Sequence, residues 1–116
     1  MSQVRYVTKP WGQEEIWAHT PNYAGKILYI NPNSKLSLQY HNQKEETIYV
    51  LKGTLSLDLE ERTMLLFPGE TYHIPPGLVH RFGALDEEVE LMEVSTTELD
   101  DVVRIQDDYK RLSTTP

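Results

Sequence analysis

A rigid corner in the middle of the sequence limits the possible folds of this chain more than any other feature. Residues 75–77 read Pro-Pro-Gly, between a segment that opens at Gly69 and one that begins near His80. Proline has no backbone N–H and is excluded from the middle of a sheet, so the corner must lie at a sheet edge. It predicts a short strand on either side and fixes where His80 emerges. Taken alone, the pattern favours an ordinary hairpin followed by a histidine.

A second polar set lies upstream of this corner. Side chains alternate across a strand, so a strand over residues 35–41 would place Gln39 and His41 on one face. Glu46 then begins a β-branched and aromatic run, 46–51, that is typical of a strand. An amide oxygen, a carboxylate and two imidazoles, one of them from His80, suit a divalent transition metal. We therefore predict a metal centre formed by Gln39, His41, Glu46 and His80.

The opposite face of the same predicted strand is apolar. It carries Leu36, Leu38 and Tyr40, which are expected to point away from the metal pocket. An apolar face of this kind needs to be covered, either by an N-terminal strand or by a second subunit. A homodimer is therefore a reasonable hypothesis for this chain.

The pattern of the whole chain predicts an all-β fold. Residues 53–60 alternate without a fault, which indicates a half-buried antiparallel strand with Leu55, Leu57 and Leu59 facing inward. Eight to ten short strands of this kind, with turns at regular spacing and almost no helical periodicity, are typical of a barrel or sandwich. A length of 116 residues predicts a single domain over residues 1–116.

Charge and cysteine content argue against several classes of function. The chain has 11 basic and 18 acidic residues and a net charge of −7, which disfavours nucleic-acid and anionic-membrane partners. It contains no cysteine, so disulfides and thiolate metal sites are excluded. No apolar stretch approaches membrane-spanning length and the N-terminus has no signal-peptide core, which predicts a cytoplasmic protein. An anionic small molecule is still compatible, because a few local cations are enough to bind it.

The corner has the spacing of a known motif. Gly69, Pro75, Gly77 and His80 match the second cupin motif, which departs here only at its last position, where Ala84 replaces the usual asparagine. The chain therefore resembles the cupin superfamily. This resemblance implies a jelly-roll barrel, also described as a double-stranded β-helix.

The first cupin motif is matched in part. Glu46 and Gly53 fit it, but the usual His-x-His pair is replaced by Gln39-Tyr40-His41, which looks like the Gln-x-His of phosphomannose isomerases. Three further segments are similar to one branch, the type II mannose-6-phosphate isomerase domain that forms the C-terminal cupin of bifunctional isomerase/guanylyltransferases. These segments are Lys-Pro-Trp-Gly at 9–12, Leu-Ser-Leu-Gln at 36–39 and Val-Arg-Ile-Gln-Asp-Asp-Tyr at 103–109. The resemblance covers residues 9–111, the expected barrel core.

What the resemblance implies is an enzyme. The activity would be the interconversion of mannose 6-phosphate and fructose 6-phosphate through an enediol. The binding partner would then be a small molecule, a sugar phosphate. The positions of Gln39, His41, Glu46 and His80 match the metal-binding pattern of the family. The implied cofactor is a divalent ion, zinc in first place, with manganese, iron, cobalt or nickel as alternatives. Many cupins that resemble this chain are dimers.

The proton-transfer and phosphate-binding residues are left open at this point. Lys26 shares strand parity with Leu28 and Ile30, so that it either faces the barrel lumen or reaches solvent from a strand end. The candidates for the base are Lys26, Lys44, Glu93 and a hydroxide on the metal. The candidates for phosphate binding are Lys44, Lys26 and Arg104.

The chain also departs from the family it resembles. The resembling domains carry three histidines and an arginine after the first ligand, and a His-Trp pair further on; this chain has Asn42, Gln43, Lys44, Thr47 and Ile48. Replacement of arginine by lysine at position 44 loses bidentate phosphate recognition. Two alternatives therefore stand beside the isomerase. One is a non-catalytic sugar-binding or regulatory cupin, and the other is a cupin enzyme of another class, such as an epimerase or a dioxygenase.

Overall fold

The structure, a computed structural model, describes residues 4–108, and this part of the chain is built from strands. The eleven strands are β1 Arg5–Lys9, β2 Gly12–His19, β3 Ala24–Ile30, β4 Leu38–Tyr40, β5 Glu46–Lys52, β6 Leu55–Leu59, β7 Thr63–Leu66, β8 Thr71–Ile74, β9 His80–Ala84, β10 Val89–Ser95 and β11 Val103–Gln106. No helix occurs between residues 4 and 108, and hence none that could cross a membrane. From the sequence, a strand followed by one helical turn fits residues 102–111; β11 lies in this segment, and its end, from residue 109, is outside the described residues.

The strands form two sheets in which all neighbours are antiparallel. One sheet has the order β1-β2-β3-β10-β5-β8 and the other has the order β11-β4-β9-β6-β7. From β3 onward the chain changes sheet at every connection except the β6–β7 hairpin. Repeated crossing between two facing sheets is the arrangement of a jelly roll. The predicted all-β barrel is therefore confirmed, and the crossings bring segments that are distant in sequence to one interior.

The core between the sheets follows from strand alternation. On β10, Val89, Leu91 and Glu93 are buried and face inward, while Val94 is exposed. The same alternation buries residues from both sheets, and the most completely buried apolar strand residues include Leu28, Ile30, Ile48, Val50, Leu55, Leu57, Ile74, Val89 and Leu91. The predicted inward face of β6 is confirmed, with Leu59 half-buried against this core. One end of this interior is polar, and that end contains the candidate site.

The strand predicted over residues 35–41 is wrong in one respect. The regular strand β4 covers only Leu38–Tyr40, and Lys35 forms an isolated bridge to Gly83. Between these two points Leu36 donates its N–H to the carbonyl of Phe82, 2.9 Å away, and its side chain is buried in the core. Strict alternation fails here because the backbone is irregular. Leu36 therefore faces inward, and the outer apolar face is smaller than expected.

The Pro-Pro-Gly corner joins β8 to β9, where the chain changes sheet. Gly77 has a φ of 85°, a backbone conformation that glycine adopts without steric cost. Its N–H donates a hydrogen bond of 2.8 Å to the carbonyl of His41. The corner therefore fixes two positions at once: the start of β9, which carries His80, and the segment after β4, which carries His41.

Two of the motif glycines allow a matched test of backbone strain. We expect Gly53→Ala to lower the free energy of unfolding by about 2–5 kcal/mol, because it combines a left-handed backbone with overpacking. Gly53 has a φ of 80°, and a Cβ atom there would lie 2.3 Å from the carbonyl oxygen of Glu88. Gly77→Ala meets no atom within 4 Å and should cost only about 1–2 kcal/mol. Urea unfolding of both variants measures the difference; equal losses would show that the contact with Glu88 is unimportant.

Candidate metal centre

Three side chains from separate elements meet at the polar end of the barrel. His41 follows β4, Glu46 is the first residue of β5 and His80 is the first residue of β9. One potential ligand atom from each lies within 4.8 Å of the others, and all three residues are at least 95% buried. The packing of the two sheets brings them together, because β4 and β9 are neighbours in one sheet and β5 lies in the other. The clustering that the sequence predicted for these three residues is therefore present.

Backbone carbonyls orient both imidazoles. His41 Nδ1 lies 2.5 Å from the carbonyl oxygen of Asp101, and His80 Nδ1 lies 2.9 Å from that of Leu78. A carbonyl can only accept a hydrogen bond, so each Nδ1 carries the proton and each Nε2 presents a lone pair. His41 Nε2 is 3.5 Å from Glu46 Oε1. This arrangement, with one nitrogen fixed by a carbonyl and the other directed inward, is typical of metal-binding histidines.

Burial sets the protonation of these groups. Desolvation lowers the pKa of His41, and the nearby Lys44 ammonium lowers it further. Desolvation also lowers the pKa of His80, against the opposing effect of Glu46. Both rings are therefore neutral at pH 7, the form that binds metals. Burial raises the pKa of Glu46, as does the charge of Glu93, while Lys44 opposes them.

Unpartnered polar atoms show that the cluster fits a cation. Neither carboxylate oxygen of Glu46 has a hydrogen-bond partner among the described residues, and neither has His80 Nε2, although all three atoms are buried. Glu46 Oε1 lies 3.1 Å from Lys44 Nζ, in an ion pair without the geometry of a hydrogen bond. Buried polar atoms normally have a hydrogen-bond partner, so a cluster that contains three such atoms without one calls for a ligand. Two imidazole nitrogens and a carboxylate are donors that suit zinc and similar divalent ions.

Gln39 lies beside this cluster. It is the β4 residue that pairs with His80 of β9, and its half-buried side chain lines the same cavity. The structure thus places all four predicted ligands around one cavity, with His41, Glu46 and His80 as the compact group. An amide oxygen from Gln39 would be a fourth donor.

The cavity has a volume of about 320 Å³, in the range of sites for small molecules. Lys26, Lys44, Glu93 and Arg104 all line it, so every sequence-predicted candidate reaches the same space. Lys26 is buried and faces the lumen, where its Nζ lies 3.2 Å from Glu14 Oε2. The choice between lumen and solvent that the sequence left open for Lys26 is therefore settled by the fold.

Lys44 and Glu93 form a buried pair next to the three-residue cluster. Lys44 Nζ lies 3.1 Å from Glu93 Oε2 as well as 3.1 Å from Glu46 Oε1. Burial opposes the charge of Lys44, but Glu93 and Glu46 outweigh it and raise the pKa of Lys44. Burial alone would raise the pKa of Glu93; the ammonium groups of Lys44 and Lys26 prevail and lower it to about 2. Both groups are charged at neutral pH.

Sequence reasoning missed several charged residues around the site. Arg5 and Lys9 line the cavity from β1, and Glu14 lines it from β2. The alternation of Arg5, Val7 and Lys9 was the available signal, since residues two apart share a strand face. Asp101 accepts hydrogen bonds from the backbone N–H groups of residues 42–44, at 3.0, 2.6 and 2.9 Å, and its carbonyl holds His41. No local pattern reveals that role, because Asp101 is about 60 residues away in sequence.

Comparison with known proteins agrees with this geometry. A protein-family model described as "Mannose-6-phosphate isomerase C-terminal" matches residues 1–107. The chain belongs to this family. Its fold is that of a cupin: it aligns with a cupin-2 domain, Rru_A2000 from Rhodospirillum rubrum, at a TM-score of 0.75 and 16% identity, covering 85% of this chain and 73% of that one. KdgF from Halomonas sp. aligns at a TM-score of 0.74 and 21% identity, covering 85% and 89%.

Sequence relatives of this family member are much longer proteins. The chain is 33% identical over 113 residues to the xanthan biosynthesis protein XanB of Xanthomonas campestris, covering 92% of this chain and 24% of XanB. It is 29% identical over 106 residues to a mannose-1-phosphate guanylyltransferase of Sinorhizobium fredii, covering 88% and 21%. The alginate biosynthesis protein AlgA of Pseudomonas aeruginosa is 29% identical over 109 residues, covering 90% and 23%. The chain thus spans about a quarter or less of these relatives.

Proposed function

We propose that this domain is a metal-dependent sugar-phosphate isomerase that interconverts mannose 6-phosphate and fructose 6-phosphate. The observation that carries the proposal is the buried cluster of His41, Glu46 and His80, with unpartnered ligand atoms directed into a cavity that also holds charged acid–base groups. Membership of the mannose-6-phosphate isomerase C-terminal family supports this choice of reaction. An aldose–ketose isomerisation moves a proton between two adjacent carbons, which requires a base and stabilisation of an enediolate oxygen.

The ligand set would hold a divalent ion, zinc in first place. His41, Glu46 and His80 supply the compact group, and Gln39 supplies an amide oxygen from the neighbouring strand position. When bound, such an ion supplies Lewis-acid polarisation of the carbonyl and hydroxyl oxygens of the sugar. The carbonyl partners of Nδ1 keep both rings in the orientation that this role needs.

The positions and charges of the buried pair support roles for two catalytic candidates. Glu93 is the candidate base, because its ionised carboxylate lines the same cavity as the three-residue cluster. Lys44 stays protonated because two carboxylates raise its pKa, so it serves as a cation that stabilises developing negative charge rather than as a base. Lys26, in its ion pair with Glu14, contributes a second positive charge near Glu93.

The phosphate group fits the outer part of the cavity. Lys26 and Lys44 are only 6% and 4% exposed, so an anion bound to them would have to enter the buried end of the cavity. Arg104 on β11 and Lys9 on β1 are half-buried, Arg5 is exposed, and all three line the same cavity. We assign phosphate binding to Arg104 because its planar guanidinium suits bidentate contact with phosphate, and Arg5 and Lys9 line the same cavity.

Most departures from the family pattern lie outside the cavity. Asn42 and Gln43 are exposed, Thr47 is half-buried outside the cavity lining, and Ile48 is buried in the core. Only position 44 of this group lines the cavity. The non-catalytic alternative is therefore weakened, since the changes that suggested it leave the site itself intact apart from Lys44.

A coupled assay tests the proposed reaction. Protein loaded with zinc is expected to convert mannose 6-phosphate to fructose 6-phosphate, to lose this activity in a chelator and to regain it when zinc is restored. Absence of turnover together with thermal stabilisation by mannose 6-phosphate would identify a sugar-binding cupin instead. Oxygen consumption by the iron-loaded protein would identify a dioxygenase.

A homodimer and a cytoplasmic location are further parts of the proposal. Tyr6, Tyr49 and Val94 are exposed apolar side chains on strands of the β1-containing sheet, and a second subunit could cover them. A monomer peak in size-exclusion chromatography at micromolar concentration would contradict the dimer.

A further inference from the structure

The Lys44 ammonium lies inside the candidate metal centre. Lys44 is only 4% exposed, and its Nζ lies 3.1 Å from a carboxylate oxygen of Glu46 and 3.1 Å from one of Glu93. The backbone N–H of Lys44 is anchored by Asp101 at 2.9 Å. The side chain therefore reaches the centre from a fixed starting point.

One carboxylate oxygen is available to two different cations. Glu46 Oε1 pairs with Lys44 Nζ, and the same oxygen is the one that lies 3.5 Å from His41 Nε2. A divalent ion held by His41, Glu46 and His80 would thus be within a few ångströms of the ammonium group. Positive charges at such a distance in a buried site repel one another strongly. A bound metal ion and the ammonium group therefore compete for Glu46.

Glu93 is a second carboxylate with which the Lys44 ammonium can pair. Glu93 is buried and stands outside the cluster of His41, Glu46 and His80, yet it already shares Lys44 with Glu46. Without Lys44, two buried carboxylates would face the same space with no shared cation, an arrangement that is strongly unfavourable. Lys44 thus supplies, in the absence of metal, the positive charge that this end of the barrel needs.

We propose that Lys44 is a built-in competitor for the metal, which pairs with Glu46 and Glu93 in the metal-free barrel and moves to Glu93 alone when a divalent ion binds. Lys44 therefore weakens metal affinity and keeps the metal-free domain folded. The inference rests on the metal centre of the proposed function, but not on the isomerase reaction.

Zinc titration of the metal-free protein, against a competing chelator and without sugar, tests this inference. Lys44→Met is expected to bind zinc on the order of tenfold more tightly than the wild type, because the competing charge is gone. Lys52→Met is the matched control: its exposed ammonium lies 3.9 Å from Glu90 and outside the cavity, so its zinc affinity should stay within about threefold. Equal or weaker binding by Lys44→Met would overturn the proposal.

A double-mutant cycle distinguishes movement of the Lys44 ammonium to Glu93 from the simple loss of a charge. It also provides a second test if Lys44→Met folds poorly. In Glu93→Gln the ammonium group has lost its alternative partner, so zinc should bind more weakly than to the wild type. Lys44→Met/Glu93→Gln lacks both buried charges, and adding Lys44→Met to the Glu93→Gln background should then raise affinity more than it does in the wild type. Strictly additive effects would contradict movement of Lys44 to Glu93.

The result is independent of the enzymatic assay. If zinc affinities follow the expected order while mannose 6-phosphate is not turned over, only the proposed function fails. If neither the wild type nor any variant binds zinc, the competitor role is overturned together with the metal centre.

Discussion

His80→Ala is expected to release the metal and to lower kcat/KM for mannose 6-phosphate by more than about 100-fold, since even loss of a group behind a metal ligand costs 10–100-fold. His80 is 1% exposed, and its Nε2 is directed into the cluster without a hydrogen-bond partner among the described residues. The variant should keep its fold, because the substitution removes a polar ring that is not part of the apolar core. Elemental analysis and the coupled assay, run on the same preparation, measure both effects.

His73 provides the control for this experiment. It lies on β8, is exposed, and contacts Glu45 at 2.6 Å, away from the cavity. His73→Ala should bind one metal ion per chain and retain wild-type activity. Stoichiometric metal in His80→Ala would refute the ligand assignment.

Trp11→Ala is expected to lower the free energy of unfolding by about 3–5 kcal/mol, the usual cost of removing a large buried aromatic side chain. Trp11 is 2% exposed, belongs to the hydrophobic core and also lines the cavity. Its carbonyl accepts a hydrogen bond of 2.9 Å from Asn31, so it ties the β1–β2 turn to the end of β3. A loss of this size is a large fraction of the stability of a small domain. Urea unfolding followed by circular dichroism measures it.

Trp17→Ala is the matched control, because it removes the same side chain from a position that is 38% exposed. The ring of Trp17 lies against Gly25, so a smaller cost of about 1–2 kcal/mol is expected. Similar losses in the two variants would show that the N-terminal turn is not fixed by burial of Trp11. The comparison separates core packing from simple removal of an aromatic residue.

Strand alternation explains why much of the fold could be predicted. A period of two is a local property, so the inward face of β6 and the exposure of His73 follow from their immediate neighbours. Leu36 was placed on the wrong face because the chain between the bridge at Lys35 and the start of β4 is irregular. Its orientation is decided by a hydrogen bond to Phe82, which lies 46 positions later in the sequence.

By itself the sequence determined the all-β class, the sheet-edge corner at Pro75 and the identity of the metal-ligand candidates. These depend on backbone chemistry, on parity and on the spacing of a few residue types. Only the tertiary structure decided what each charged group contacts. Lys44 and Glu93 are 49 residues apart, and they meet because β5 and β10 are neighbours in the same sheet. The charge state of a buried group depends on such neighbours, and a linear sequence does not state which neighbours it will have.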